Sequence, residues 1–287
     1  MKGFKLGIKL FVSVALLWLV LRQIDIHRLL TLLQKSNPVW LGIAFILYNL
    51  SKILASFRLN YYFRDLGLRI SQWQALRLYY VGMFYNLFLP GGVGGDGYKI
   101  YLLQKYHNPG YKPLLAATLL DRLSGLAALL FLVGVLFIFS SYAKLSPWLV
   151  WCDLFCLILL YPIFLPLHKK LFGNFTTYLW QTTLLGLGVQ ILQLLSAYAL
   201  ILALPVTVPI IDFLTLFLIS SVVAVLPLTI GGVGAREFTF LYGLKLLRLD
   251  PSAGIAFSFL FFILSALSSA IGIFFIHNPY NRFHKEI

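Results

Sequence analysis

Charge is scarce in this chain: only 11% of its 287 residues are Asp, Glu, Lys or Arg. Soluble domains carry roughly a quarter, so an ordinary water-exposed globule is excluded. Acid is scarcer still, with 9 Asp and Glu against 23 Lys and Arg and a formal net charge of +14. Cysteine stops at two, Cys152 and Cys156, one helical turn apart in an apolar run. That leaves no disulfide framework and no zinc knuckle. The histidines (His27, His107, His168, His277 and His284) fall singly in loops or segment ends, without metal spacing. No Gly-Lys-Ser/Thr occurs, which excludes a phosphate-loop ATPase. With no Ser-His, Cys-His or metal constellation, we expect no enzymatic activity, no cofactor and no metal.

What fills the chain is apolar: 60% of residues are hydrophobic and the mean hydropathy is +0.89. Apolar runs cover about 4–21, 38–57, 73–90, 113–139, 147–167, 178–204, 210–230 and 252–276. A straight crossing needs about 20 such residues. The basic residues sit in the short connections rather than in one patch. Membrane topology therefore explains them, and nucleic acid is excluded as a partner. The run 4–21 follows lysines but ends in Arg22-Gln23-Ile24-Asp25 rather than a small-residue cleavage site, so it reads as a retained span.

Two of these runs are broken by glycine. The first break reads Leu89-Pro90-Gly91-Gly92-Val93-Gly94-Gly95-Asp96. The second, 140 positions later, reads Leu226-Pro227-Leu228-Thr229-Ile230-Gly231-Gly232-Val233-Gly234-Ala235-Arg236-Glu237. Irregular backbone at membrane depth survives only where protein buries it or a cavity receives it. A hydrophobic arm, a break and a short second arm (Tyr98–Leu103; Thr239–Leu247) predict a re-entrant hairpin at 73–105 and another at 210–249. The expected fold is all-α: a polytopic membrane protein of about six full spans and two glycine-broken re-entrant hairpins.

The same offset maps spans 4–21, 38–57 and 113–139 onto 147–167, 178–204 and 252–276. Residues 1–140 and 141–287 thus read as two membrane repeats of one integral domain. Three crossings per repeat is an odd number, so the second repeat is inverted and the two breaks meet near mid-membrane. With both hairpins returning, fourteen Lys and Arg fall on the side of the N-terminus and six on the other, while Lys52, Arg122 and Arg236 lie within spans. This bias predicts cytoplasmic N- and C-termini in a cell (inner) membrane.

Charges at membrane depth carry the chemistry. Each costs about 2.5–3.5 kcal/mol at the bilayer centre on insertion scales, so each needs an interior partner. Asp121 and Arg122 are adjacent, as are Arg236 and Glu237, and adjacent helical residues point in different directions. We expect their partners across the two repeats. Asp96 and Glu237 are carboxylates at matching breaks, suited to positioning an arginine, accepting a proton or binding a cation. The glycines let backbone N–H groups converge at a half-helix start, where an anion is the natural guest. Arg236 is placed to grip it bidentately. Close helix packing is the competing role for the same glycines. Gly92–Gly97 also spells Gly-x-Gly-x-x-Gly, but without the strand a dinucleotide fold requires. The basic, aromatic stretch Arg58–Arg77 reads as interfacial anchoring.

The run Tyr85-Asn86-Leu87-Phe88-Leu89-Pro90 with the first glycine cluster, then Asp121-Arg122, then Pro227-x3-Gly231-Gly232-Val233-Gly234-Ala235-Arg236-Glu237, resembles the lysylphosphatidylglycerol synthase transmembrane family. The resemblance covers essentially the whole chain. It implies movement of a lipid between leaflets, such as an aminoacylated phospholipid or a polyprenyl-linked precursor. The first motif is usually followed by Arg; here it runs Tyr98-Lys99, which makes Lys99 the cation beside Asp96. Only Asn278–Ile287 follow the last span, so the synthase and glycosyltransferase domains of some relatives are expected to be absent.

Together these readings predict a lipid translocase, a flippase or scramblase for an anionic or phosphate-bearing lipid. Its headgroup would meet Arg236, Arg122, Asp121, Asp96, Glu237, Lys99 and Asn86 among Gly91, Gly92, Gly94, Gly95, Gly231, Gly232 and Gly234. The alternative is a non-transporting accessory protein that presents a lipid-linked substrate to a partner glycosyltransferase or synthase.

Overall fold

A computed structural model describes residues 18, 22, 26–88, 94–225 and 232–276. The expected span 4–21 lies outside them apart from Trp18, as do the hearts of both breaks, residues 89–93 and 226–231. No strand occurs among the described residues. In chain order the helices are α1 (Ile26–Gln34), α2 (Pro38–Asp65), α3 (Gln72–Phe88), α4 (Gly94–His107), α5 (Tyr111–Phe139) and α6 (Pro147–Leu171). They continue as α7 (Leu179–Ala203), α8 (Ile210–Val225), α9 (Ala235–Leu246), α10 (Pro251–Ala270) and α11 (Ile273–Ile276). Among the described residues, α2, α5, α6, α7 and the segment Pro251–Ile276 are long and apolar enough to cross a membrane. The chain is an all-α polytopic membrane protein.

Local chemistry sets the ends of these helices. Asn37 caps α2 by accepting the Val39 N–H, and Asp250 caps α10 by accepting the Ser252 N–H, each just ahead of a proline at the first helical position. Proline there gives up a donor that has no intrahelical partner anyway. Small residues then set the spacing between helices. Ser196 on α7 donates to the Ala44 carbonyl of α2 at 2.8 Å, and a Cβ on Gly188 would meet Leu54 at 3.1 Å. Contacts run from Asn37 with Ala203 at one end to Tyr61 with Tyr178 at the other, so α2 and α7 pack antiparallel along their whole length.

Each glycine-broken segment folds back on itself. In α3 and α4, the Tyr85 and Tyr98 rings lie 4.5 Å apart and a Cβ on Gly95 would stand 1.8 Å from the Gly82 carbonyl oxygen. In α8 and α9, the Phe213 and Phe240 rings lie 6.0 Å apart and Gly243 leaves room for Leu216. Both second arms are longer helices than the sequence suggests, starting at Gly94 and Ala235 immediately after the breaks.

The connections sort to two ends of the bundle. At one end Arg28 pairs with Asp250 at 2.9 Å, the Ser141 N–H donates to Asp212 at 2.6 Å, and Tyr142 donates to the Gly243 carbonyl. At the other, Tyr62 meets Phe175, Trp73 meets Phe275, and Leu66, Lys112 and Phe172 line one cavity of about 390 Å³. The outer termini of α3 and α4 therefore lie at one end of the bundle, and those of α8 and α9 at the opposite end.

The buried apolar side chains form two clusters rather than one. One holds the α8–α9 hairpin, with Phe217, Phe240, Phe257 and Tyr48; the other holds the α3–α4 hairpin, with Tyr62, Phe63, Leu103 and Leu120. Along α2 the first cluster ends at Tyr48 and the second begins at Leu59.

Candidate functional site

Between the two apolar clusters lies a charged layer. On α2 it contains Lys52, midway along a helix of 28 residues and so about 20 Å from either end at the helical rise. Arg58 follows, only 5% exposed. On α5 the layer contains Asp121 and Arg122, and on α4 it contains Asp96 and Lys99. The α9 start brings Arg236 and Glu237 to it from the opposite end.

Adjacent helical residues diverge, and the two α5 charges do so here. Asp121 turns to α2 and accepts from Arg58 Nε at 2.7 Å, with the two side chains 12% and 6% exposed. Arg122 turns to α4 and donates to Asp96 Oδ2 at 2.6 Å. Lys99, one turn along α4, holds the other oxygen of Asp96 at 2.6 Å, so a single carboxylate neutralises two cations. Arg122 keeps 40% of its side chain exposed while Asp96 keeps 11%. Asn86 clips the hairpin shut by accepting the Gly95 N–H at 2.8 Å. Tyr79 joins these groups: its ring lies 5.5 Å from Lys99 Nζ and within electrostatic range of Asp96, Asp121 and Arg58.

The second break is organised differently. Gly232 and Gly234 adopt φ values of 81° and 85°, open to glycine at little cost, and they turn the chain into α9. Glu237 accepts the Gly234 N–H at 2.7 Å and the Ser258 hydroxyl at 2.8 Å. Arg236 reaches Ser220 and Ser221 at 3.3 and 3.2 Å and lies over the Phe261 and Phe217 rings at 4.7 and 5.5 Å. Among the described residues it meets no carboxylate within ion-pair distance. A cavity of about 30 Å³ opens beside it, lined by Gly232, Val233, Glu237, Phe261, Phe262 and Ser265. That volume holds about one water molecule.

Several expectations change. The charges do not pair across the two halves: Asp121 and Asp96 both find partners within residues 58–122, because their own neighbours α2 and α4 already supply cations. Asp121 therefore does not position Arg236 or Arg122. Glu237 is likewise occupied by its own helix start and by Ser258 rather than by an ion pair to Arg236. The N–H groups of Gly95 and Gly234 are taken by side chains, so neither is free for a guest, and Gly95 serves close packing. Gly94 is the first residue of α4. Gly91, Gly92 and Gly231 lie outside the described residues. Arg58 is an interior partner of Asp121 rather than an interfacial anchor. Lys52, at mid-helix with its Nζ 4.1 Å from the Tyr48 ring, was visible in the sequence as an in-span charge.

Fold and charged layer together define a helical integral membrane protein with an ionised interior. The chain belongs to the family described as the lysylphosphatidylglycerol synthase TM region, which it matches over residues 7–272. No curated protein is a match to it.

Proposed function

We propose that this protein translocates a lipid with an anionic headgroup between the leaflets of a cell membrane. The observation that carries this reading is Arg236, a guanidinium at the glycine break that is held by two hydroxyls and two rings and makes no ion pair among the described residues. A buried charge without a counter-charge is costly, and an incoming anion would compensate it. The two hairpins support the route: they enter from opposite ends of the bundle and carry their charges into the layer between the cores. Read as inverted repeats, they would alternate access to that layer while the lipid tails stay in the bilayer. The basic connections favour placing the end that holds Lys112, Lys169 and Lys170 in the cytoplasm.

The test is reconstitution in liposomes with a fluorescent anionic phospholipid, followed by chemical quenching of the outer leaflet. Wild type should expose the lipid faster than empty liposomes, and Arg236→Ala should abolish that gain at an unchanged melting temperature. Tight lipid retention without movement would instead fit an accessory protein that presents the lipid to a partner enzyme.

A further inference from the structure

The basic stretch that joins α2 to α3 divides by what holds each charge. Arg58 is sealed against Asp121, and Arg77 lies over the Trp73 and Phe275 rings at 5.0 and 5.8 Å. Arg64 and Arg69 make no ion pair among the described residues. Both line a cavity of about 650 Å³, which they share with Gly67, Ser71 and Tyr178. No acid lines it, and both carboxylate oxygens of the neighbouring Asp65 are buried. That volume lies in the range of small-molecule sites, roughly 300–1,000 Å³.

The walls of this cavity are held from behind. At the end of α2 the Leu66 and Leu68 N–H groups both donate to the Phe63 carbonyl, and Gly67 turns the chain at a φ of 76°. Glycine takes that conformation at little cost. Asn60, buried on α2, then donates to the Ile70 carbonyl at 3.2 Å and to the Gln72 side chain at 3.1 Å. Leu68 and Ile70 are buried in the apolar cluster, so the intervening Arg69 faces outward with Gly67 and Ser71. Ser71 is fixed in turn, because its N–H donates to the Gln74 side chain at 2.9 Å and its hydroxyl accepts the Gln74 N–H at 3.3 Å. On the facing wall the Tyr178 ring lies 4.8 Å from Tyr61, and Arg64 lies 5.3 Å over Tyr61.

Trp73 and Trp180, two residues beyond Ser71 and Tyr178, are both exposed. Tryptophans so placed mark the headgroup level of a bilayer. The cavity thus opens at the membrane surface, apart from the layer that holds Arg236.

We infer that Arg64 and Arg69 form a phosphate-binding pocket at the membrane surface, and that its ligand is a phosphate ester of a polar alcohol. Each guanidinium presents a planar fork of N–H donors suited to paired phosphate oxygens. The cavity is wider than a bare phosphate, and the Ser71 hydroxyl keeps its own proton to donate. Glycerophosphate has this chemistry, whether as a phospholipid headgroup or as a soluble ester. A choline headgroup would bring a third cation to the two guanidiniums. The pocket does not depend on the translocase reading.

The test titrates dioctanoyl phosphatidylglycerol and, separately, glycerol 3-phosphate into the purified full chain in non-ionic detergent, followed by calorimetry. Arg64→Gln with Arg69→Gln should weaken binding by about tenfold or more at an unchanged melting temperature, since both side chains are exposed. Arg69→Gln alone, which disturbs no ring contact, should weaken it several-fold. Lys112→Gln with Lys169→Gln removes the same charge outside the cavity walls and should keep wild-type affinity. Arg236→Ala should retain the binding that depends on Arg64 and Arg69. Binding of the lipid alone supports the pocket as a headgroup site, and binding of glycerol 3-phosphate supports it as a site for the ester itself. Binding of neither probe overturns the inference. So does equal weakening by the lysine pair, the mark of diffuse surface charge, or loss of binding in Arg236→Ala. Absent lipid movement in liposomes, with this binding intact, removes the translocase reading and leaves the pocket standing.

Discussion

Arg58 and Asp121, 63 residues apart in sequence, hold each other at 2.7 Å between α2 and α5. Both side chains are nearly sealed from solvent, so neither can exchange its partner for water. Asp121→Asn leaves the Arg58 guanidinium charged and uncompensated, and should lower stability by about 3–5 kcal/mol. Joint replacement, Arg58→Met with Asp121→Leu, should recover most of that loss. Thermal unfolding of the detergent-purified variants decides it, and a wild-type midpoint for Asp121→Asn would show that the pair contributes nothing.

Arg236 should behave in the opposite way. Its removal breaks no ion pair among the described residues and relieves a charge at membrane depth. Arg236→Met should therefore unfold at or above the wild-type midpoint, while Arg58→Met falls below it. Destabilisation of Arg236→Met equal to that of Arg58→Met would mean that an acid compensates Arg236 in the membrane.

The α3–α4 hairpin depends on a backbone contact. A Cβ on Gly95 would stand 1.8 Å from the Gly82 carbonyl oxygen, and backbone cannot swing aside as a side chain can. Gly95→Ala should cost at least about 3 kcal/mol, the upper range for overpacking. Gly97, two residues on, has nothing within 4 Å of the same position, so Gly97→Ala should be tolerated. Melting curves of the two variants side by side provide the check.

Asp96 carries more than either of its partners. Asp96→Asn removes the carboxylate that binds both Lys99 and Arg122 and should approach the ~3 kcal/mol lower bound for breaking a buried pair. Lys99→Gln leaves the Arg122 contact in place and should cost well under that. Equal losses in a denaturation series would show that Arg122, 40% exposed, is already compensated by solvent.

The two ends of the bundle make a topological prediction. Single cysteines at Arg69, Lys112 and Asn174 should react with a membrane-impermeant thiol reagent from one side, and those at Lys35, Lys144 and Arg248 from the other. The two native cysteines, Cys152 and Cys156, are replaced first. Labelling of positions 69 and 112 from opposite sides would mean that the α3–α4 segment crosses the membrane instead of returning.

Much of the architecture was legible in the chain because lipid imposes few solutions. Five of the six expected spans coincide with long helices, since a run of about 20 apolar residues has little alternative. The packing of α4 back on α3 and of α9 back on α8 was legible from Pro90, Pro227 and the glycines, which cannot continue a helix without loss. Their second arms were not delimited, because Gly94, Gly95 and Ala235 read as break rather than as first helical turn. The charged residues were legible as a set, but their pairing was not. Asp121 and Arg58 meet through a tertiary contact between α2 and α5, and no local spacing encodes that. Lys52 stayed undistinguished for the same reason: the Tyr48 ring it packs against looks like an ordinary core aromatic.

The pairing of Arg58 with Asp121 also has a consequence for biogenesis. The arginine leaves the ribosome 63 residues ahead of its carboxylate, a delay of roughly 3–13 s at ordinary elongation rates. During that interval α2 carries two cations at membrane depth, Lys52 and Arg58, before Asp121 is available from α5. On insertion scales two such charges cost about 5–7 kcal/mol at the bilayer centre. The helix therefore has reason to wait in a protein-lined, hydrated environment until α5 arrives, and release of the first half into lipid becomes coupled to synthesis of Asp121.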